Sequence, residues 1–242
     1  MNENIFENMP KALLDTDPEF YNIFKNFTEN DAENIISLDD KTRAMATLAA
    51  LIGCQGTEEY KCFLSGVLNK AVDPIEIKEI VYQAVAYLGI GRVLPFFGIT
   101  NDVIKEAGLS LPLPGQATAN NETRLQAGNQ AQVDIFGDGM KDFHKSGPKE
   151  SRHINLWLAE NCFGDYYTRG GLDLPTRELL TFITLLSLGG CEPQLKAHIA
   201  ANAKLGNDKE LLLAALTQVL PYIGYPRTLN AISCLNEVLP EA

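Results

Sequence analysis

The feature of this sequence that most restricts its fold is a pattern that occurs twice. Gln83-Ala-Val-Ala-Tyr87-Leu-Gly89-Ile-Gly-Arg92 returns as Gln218-Val-Leu-Pro-Tyr222-Ile-Gly224-Tyr-Pro-Arg227, with Gln, Tyr, Gly and Arg all displaced by 135 residues. Upstream, Thr42-Arg43 returns as Thr176-Arg177 at a displacement of 134, so a single-residue gap separates the two registers. Four identities at matched spacing point to an internal duplication. Each copy reads as a helix after Thr-Arg, a middle helix, and a helix ending in the Tyr-x-Gly-x-x-Arg stretch. One such unit has too few helices to close a core, so the copies must pack on each other or on other subunits.

The periodicity is helical almost throughout. Thr42-Arg-Ala-Met-Ala-Thr-Leu-Ala-Ala-Leu-Ile-Gly53 is apolar on every face and predicts a buried helix. Asp73-Pro74 opens another in the N-cap and N1 pattern, with Ile77, Ile80, Val81, Ala84, Val85 and Leu88 at three-four spacing before Gly89. Period-two alternation bounded by turn residues is absent, so the expected class is all-α, with two tandem helical repeats packed together. Between the copies lies Ala107-Gly-Leu-Ser-Leu-Pro-Leu-Pro-Gly-Gln-Ala-Thr-Ala-Asn-Asn-Glu-Thr123, whose Pro, Gly and Asn content predicts a surface linker. The expected organisation is a first copy over 1–108, a linker over 109–123 and a second copy over 124–242.

Composition removes several function classes. The chain has 242 residues, is 45% hydrophobic and 21% charged, and carries a net charge of −11. That is globular composition, and an acidic surplus is the wrong sign for a nucleic-acid binder. Residues 1–108 hold 9 basic and 17 acidic side chains and residues 109–242 hold 11 and 14, so neither half is basic. No apolar run is long enough to span a membrane, and the first residues lack the layout of a secretory leader. Five cysteines (Cys54, Cys62, Cys162, Cys191 and Cys234) are scattered without a CxxC pair. A disulfide framework or zinc knuckle is therefore not expected, and a reducing cytoplasm fits.

The second copy holds the side chains that can do chemistry. Gly-Gly-Cys191-Glu-Pro-Gln-Leu-Lys-Ala-His198 reads as a helix with Cys191 near its start and His198 two turns later on the same face. Amide dipoles at a helix N-terminus favour a thiolate, so a lowered Cys191 pKa is expected. Glu178 lies on the preceding helix and meets this face only if the two helices pair antiparallel; a His held by a carboxylate is then a general acid or base. Each residue also has a plain structural use. A single His can be a satisfied helix residue, a single Cys a packing residue, and Glu178 a favourable charge at a helix N-terminus. The Tyr-x-Gly-x-x-Arg stretch can likewise be a helix stop whose Tyr and Arg cover an interface.

Arg169-Gly-Gly-Leu-Asp-Leu-Pro-Thr-Arg177-Glu178-Leu-Leu-Thr, followed by Cys191, His198 and the Gln218–Arg227 stretch, resembles the carboxymuconolactone decarboxylase family. Arg124-Leu-Gln-Ala-Gly128 with Phe136-Gly137-Asp138 resembles the lead-in of the decarboxylases themselves. The likeness covers about residues 124–239, and residues 18–105 resemble a weaker second copy. It implies the all-helical alkylhydroperoxidase D-like fold and assemblies of many units, commonly hexamers of single-unit chains. A two-copy chain would then form a homo-oligomer, a trimer with six units. One branch of the family decarboxylates 4-carboxymuconolactone; another reduces peroxides with a CxxC pair, a Glu and a His.

By this resemblance Glu178, Cys191 and His198 take the catalytic positions. Two departures follow from the sequence. Gln194 stands three after Cys191, so the resolving cysteine of a dithiol peroxidase is missing. In the first copy Ala44, Gly56 and Phe63 stand where Glu178, Cys191 and His198 stand in the second, which makes that copy a structural partner. The first expectation is a lyase acting on a small carboxylated lactone or related acid. His198 transfers the proton, Glu178 orients it, and Arg169, Tyr222 and Arg227 bind substrate. No metal or organic cofactor is implied. The alternatives are a peroxiredoxin-like thiol enzyme using Cys191 and a non-catalytic oligomeric binding protein.

Overall fold

The computed structural model describes residues 12–32, 35 and 38–240. The chain begins with α1 (Ala12–Thr16), then α2 (Pro18–Asn26), which a π-helical stretch (Phe27–Ala32) prolongs. There follow α3 (Asp40–Cys54), α4 (Thr57–Val67), α5 (Pro74–Leu88) and α6 (Ile90–Glu106). Past the linker come α7 (Arg124–Phe136) and α8 (Arg152–Trp157), the latter running on as a π-helix (Leu158–Tyr167). The second copy closes with α9 (Leu174–Leu188), α10 (Glu192–Lys204), α11 (Lys209–Ile223) and α12 (Tyr225–Val238). No strand occurs among the described residues, and no described helix is long and apolar enough to cross a membrane.

The duplication is written into the helix caps. Asp39 accepts from the Thr42 amide and Asp173 from the Thr176 amide, opening α3 and α9 at the same register. Asp73, in a capping box with Glu76, and Asp208 open α5 and α11. Helix α3 crosses α9 at the centre, where Gly53 lies so close that a Cβ built on it would meet the Ser187 Cβ at 2.6 Å. One apolar core runs through both copies, from Leu48, Ile52 and Phe63 to Phe182, Ile183 and Leu216. The expected packing of the two repeats on each other is thus what forms the core.

Polar side chains cross between the copies reciprocally. Gln83 Nε2 on α5 donates to the Arg177 carbonyl (2.8 Å) and to Thr181 Oγ1 (2.9 Å) on α9, and Arg177 Nη1 donates to Gln83 Oε1 (3.0 Å). In mirror image, Arg43 Nε donates to Gln218 Oε1 (3.2 Å) and Gln218 Nε2 donates to Thr47 Oγ1 (3.1 Å). The repeated Gln and Arg therefore join the third helix of one copy to the first helix of the other. Arg177 is fully buried and also donates through Nη2 to Glu79 (3.0 Å) and to the carbonyls of Arg169 and Gly170. Glu79 has no counterpart in the second copy, where Ala214 takes its place at the displaced position.

The linker lies along the surface but is fastened to it. Leu109, Leu111 and Leu113 pack against the core, and the Gln116 carbonyl accepts from the Gly170 amide at 2.9 Å. Beyond it α7 docks on the π-helix backbone to backbone. A Cβ on Gly128 would lie 1.9 Å from the Ala159 carbonyl oxygen, and one on Gly164 2.3 Å from that of Arg124, so only glycine fits at either place. Arg124 fixes the contact with Asp165 (2.8 Å) and Glu160 (3.3 Å).

Removing one member of a buried ion pair strands the other charge. Glu79→Leu is therefore expected to lower unfolding stability by about 3–5 kcal/mol in denaturant titration. A change within ~0.5 kcal/mol, the usual size for a surface position, would show that the pair does not hold the copies together.

Candidate active site

Antiparallel packing of α9 and α10 brings Glu178 to His198, with Oε2 and Nδ1 2.7 Å apart and both side chains buried. Asn202, one turn after His198, donates to the carbonyls of Glu178 (3.0 Å) and His198 (2.8 Å) and accepts from Asn207 (2.8 Å), which pins the two helices at this level. Phe136 and Tyr87 meet the imidazole edge-on at 5.3 and 5.7 Å, so the ring cannot turn freely. The Glu178 carboxylate accepts from Nδ1–H and leaves Nε2 as the nitrogen that can exchange a proton. Oε1 of Glu178 is buried without a partner among the described residues.

His198 lines a cavity of about 710 Å³ built from both copies. Its walls are mainly Phe136, Phe143, Leu158, Phe163 and Leu188, and among the described residues no Lys or Arg lines it. Tyr87, from the first copy, enters because α5 packs across α9. Its hydroxyl meets that of Tyr167 at 2.6 Å, and Tyr167 meets Thr181 Oγ1 at 2.6 Å. Burial first, then neighbouring groups that include Glu178, hold both phenols well above the ordinary tyrosine pKa, so they stay protonated. Gln132 on α7 also lines the cavity; it is fully buried, and neither its amide nitrogen nor its oxygen has a partner among the described residues. It stands two turns beyond Arg124 and one beyond Gly128, on the face that docks against the π-helix.

The other residues singled out from the sequence lie differently. Cys191 does face the cavity, but its thiol donates to the Leu185 carbonyl at 3.4 Å, and burial, with Glu192 and Cys234 nearby, raises its pKa. The expected lowering by the helix terminus does not appear: desolvation first, then Glu192 and Cys234, disfavour the thiolate. Cys162 is also in the cavity, its thiol pushed up to about 12 by burial.

Tyr222 is not in this cavity. It packs edge-on against Phe24 at 6.3 Å, because α11 crosses toward the first copy as α5 crosses toward the second. The tyrosine that sequence reasoning should have chosen is its repeat partner, Tyr87. Arg227 covers Gly189, where an added Cβ would lie 3.4 Å from Nε, and lines an adjoining crevice of about 10 Å³ that shares Leu185 and Cys191 with the cavity. Arg169 is held by Glu79 through Nε (2.9 Å) and lines a different cavity. In the first copy Ala44 and Phe63 are core residues, which leaves no second acid–base pair. Tyr87 and Gln132 escaped sequence reading; the doubled Gln-x-x-x-Tyr pattern was the available signal for the first, and nothing local marks the second.

The sequence matches the carboxymuconolactone decarboxylase family twice, over residues 18–102 and 155–237. The chain belongs to the carboxymuconolactone decarboxylase family. Both tandem matches include the Gln-x-x-x-Tyr stretch, while α7, which supplies Gln132 and Phe136, lies outside them. The chain is also similar to the 4-carboxymuconolactone decarboxylase of Acinetobacter baylyi, 25% identical over 130 residues, which is 50% of this chain and 91% of that relative. Among the described residues no three His, Cys, Asp or Glu side chains cluster as metal ligands would.

A thiol with a raised pKa reacts slowly at neutral pH. Mass-spectrometric labelling of Cys191 by iodoacetamide is expected to accelerate only above about pH 9, where a thiol of ordinary or raised pKa begins to ionise. A rate already at its plateau below about pH 7.5, the range of activated cysteines, would restore the thiolate reading.

Proposed function

We propose that the chain is a decarboxylase-like lyase acting on a small carboxylated lactone or related acid, with His198 as the proton donor and Glu178 orienting it. The observation that carries the reading is the buried 2.7 Å contact between Glu178 and His198 on the wall of a cavity large enough for such a substrate. Family membership and the likeness to a 4-carboxymuconolactone decarboxylase support it.

The chemistry follows from the lining. A substrate carboxylate placed among Phe136, Phe143 and Phe163 loses hydration, and its localised charge is disfavoured relative to the dispersed charge of the transition state. The bond between carbon and carboxyl breaks, carbon dioxide leaves, and the electron pair passes to the carbon and its neighbouring carbonyl as an enolate. Gln132 Nε2, which has no partner among the described residues, donates to the enolate oxygen. His198, as the imidazolium whose Nδ1–H is held by the Glu178 carboxylate, delivers its Nε2 proton to carbon, and the neutral imidazole left behind takes up a proton from solvent. Arg169 and Arg227 have no part in this scheme, since neither lines the cavity.

Turnover of 4-carboxymuconolactone, followed by loss of its ultraviolet absorbance and by carbon dioxide release, tests the reading. His198→Ala should lower kcat by about 10²–10⁴-fold, the range of general acid–base catalysis, and Glu178→Gln should also lower it with little change in KM. Cys191→Ser should leave turnover intact. A wild-type protein without activity on this or related carboxylated lactones, or a Cys191→Ser variant as inactive as His198→Ala, would refute the assignment.

The trimer of two-copy chains is likewise a proposal. Ile90 and Leu94 on α6 return as Tyr225 and Leu229 on α12, all more than half exposed, so each chain offers two equivalent apolar faces to its neighbours. Light scattering should give the mass of three chains, and a monomeric mass would overturn it.

A further inference from the structure

We infer that a second cavity, of about 580 Å³ between α5, α6 and the linker, binds a small planar organic dicarboxylate, with Arg169, Lys78 and Lys105 as its cationic groups and Tyr82 as its ring wall. It shares no lining residue with the His198 cavity, so it stands independently of the decarboxylase reading.

Arg169 is built for such a ligand. Its Nε meets both oxygens of Glu79 (3.0 and 2.9 Å), which fixes the side chain, while Nη1 and Nη2 have no partner among the described residues. The guanidinium lies 5.0 Å from the centre of the Tyr82 ring, and Tyr82 stacks on Phe97 at 5.6 Å, giving a flat wall beside a free fork of donors. A carboxylate accepts two parallel bonds from such a fork.

The remaining charges point the same way. Lys78 is buried and donates to the neutral amide of Asn101; it pairs with no described carboxylate. Burial lowers its pKa, the mark of a cation short of a counter-charge. Lys105, one turn beyond Asn101 on α6, has no ion pair among the described residues either. Glu79 is shared between Arg169 and Arg177, so that trio is net positive. Two lysines without an ion pair among the described residues converge on a cavity already lined by the Arg169–Glu79 pair, in a chain of net charge −11, and an anion resolves them. Leu111 and Leu113 of the linker close the other side and suit a ring.

The test titrates the full chain with isophthalate and, separately, with inorganic phosphate, by calorimetry. One isophthalate should bind per chain. The double variant Lys78→Met/Lys105→Gln should bind it at least about tenfold more weakly, as expected for lost charge-assisted bonds, with an unchanged circular dichroism spectrum. His198→Ala should bind it as the wild type does, and phosphate should bind at least about tenfold more weakly than isophthalate, because it cannot use the ring wall. If the double variant misfolds, Lys105→Gln alone must weaken binding, together with a fall in affinity as salt is raised. No binding at millimolar isophthalate, unchanged affinity in the lysine variants, or loss of binding on His198→Ala would each overturn the proposal. Equal binding of phosphate would overturn the planar class of ligand.

Discussion

The buried contact of Arg177 with Glu79 and Gln83 is the constraint on which the rest of this structure depends. A guanidinium with no exposed surface must find its partners inside the protein, and two of the three kinds it uses come from the other copy. The third kind, the carbonyls of Arg169 and Gly170, is the turn just before α9. Pairing Nη1 and Nη2 of this one side chain fixes α5 against α9 and sets the loop that leads into it, while Nε is buried with no partner among the described residues. Glu178 follows Arg177 directly, so the acid–base pair inherits its position from that lock.

Exchange of helices between the copies makes the candidate site composite. Because α5 lies across α9, Tyr87 of the first copy closes the cavity of the second, and the first copy is needed even though it has no acid–base pair of its own. The reciprocal place is filled. Phe63 and Ala44 complete an apolar core where His198 and Glu178 would be, and Tyr222 is left to pack on Phe24. The first copy contributes Glu79, Gln83 and Tyr87 to the polar contacts around α9, while the Glu178–His198 pair lies wholly in the second.

The two cavities divide charge between them. The one beside His198 is walled by aromatic and aliphatic side chains and, among the described residues, carries no Lys or Arg, so the proposed lyase chemistry would there meet a dry wall that favours dispersed charge. The one beside Arg169 collects cations against an aromatic wall, which suits recognition of a charge that stays put. Arg169 belongs to the second cavity through its side chain, while its backbone carbonyl accepts from Arg177.

Local signals determined a great deal from sequence alone. Asp-capped helix starts, glycine stops and three-four spacing depend on a few neighbouring residues, and they placed the helices and the tandem copies. The pairing of Glu178 with His198 was within reach because both lie on adjacent helices of a short antiparallel turn. What only the tertiary structure decided were questions of which copy faces which and how dry each group is. Tyr222 and Tyr87 are equivalent in sequence, and only the crossing of α5 over α9 puts Tyr87 in the cavity. A helix terminus favours a thiolate locally, yet desolvation in the assembled core raises the Cys191 pKa. Arg169, next to the candidate site in sequence, is drawn to Glu79, 90 residues earlier. Local backbone preferences can be read from neighbours along the chain; burial and long-range charge pairing exist only once distant segments have met.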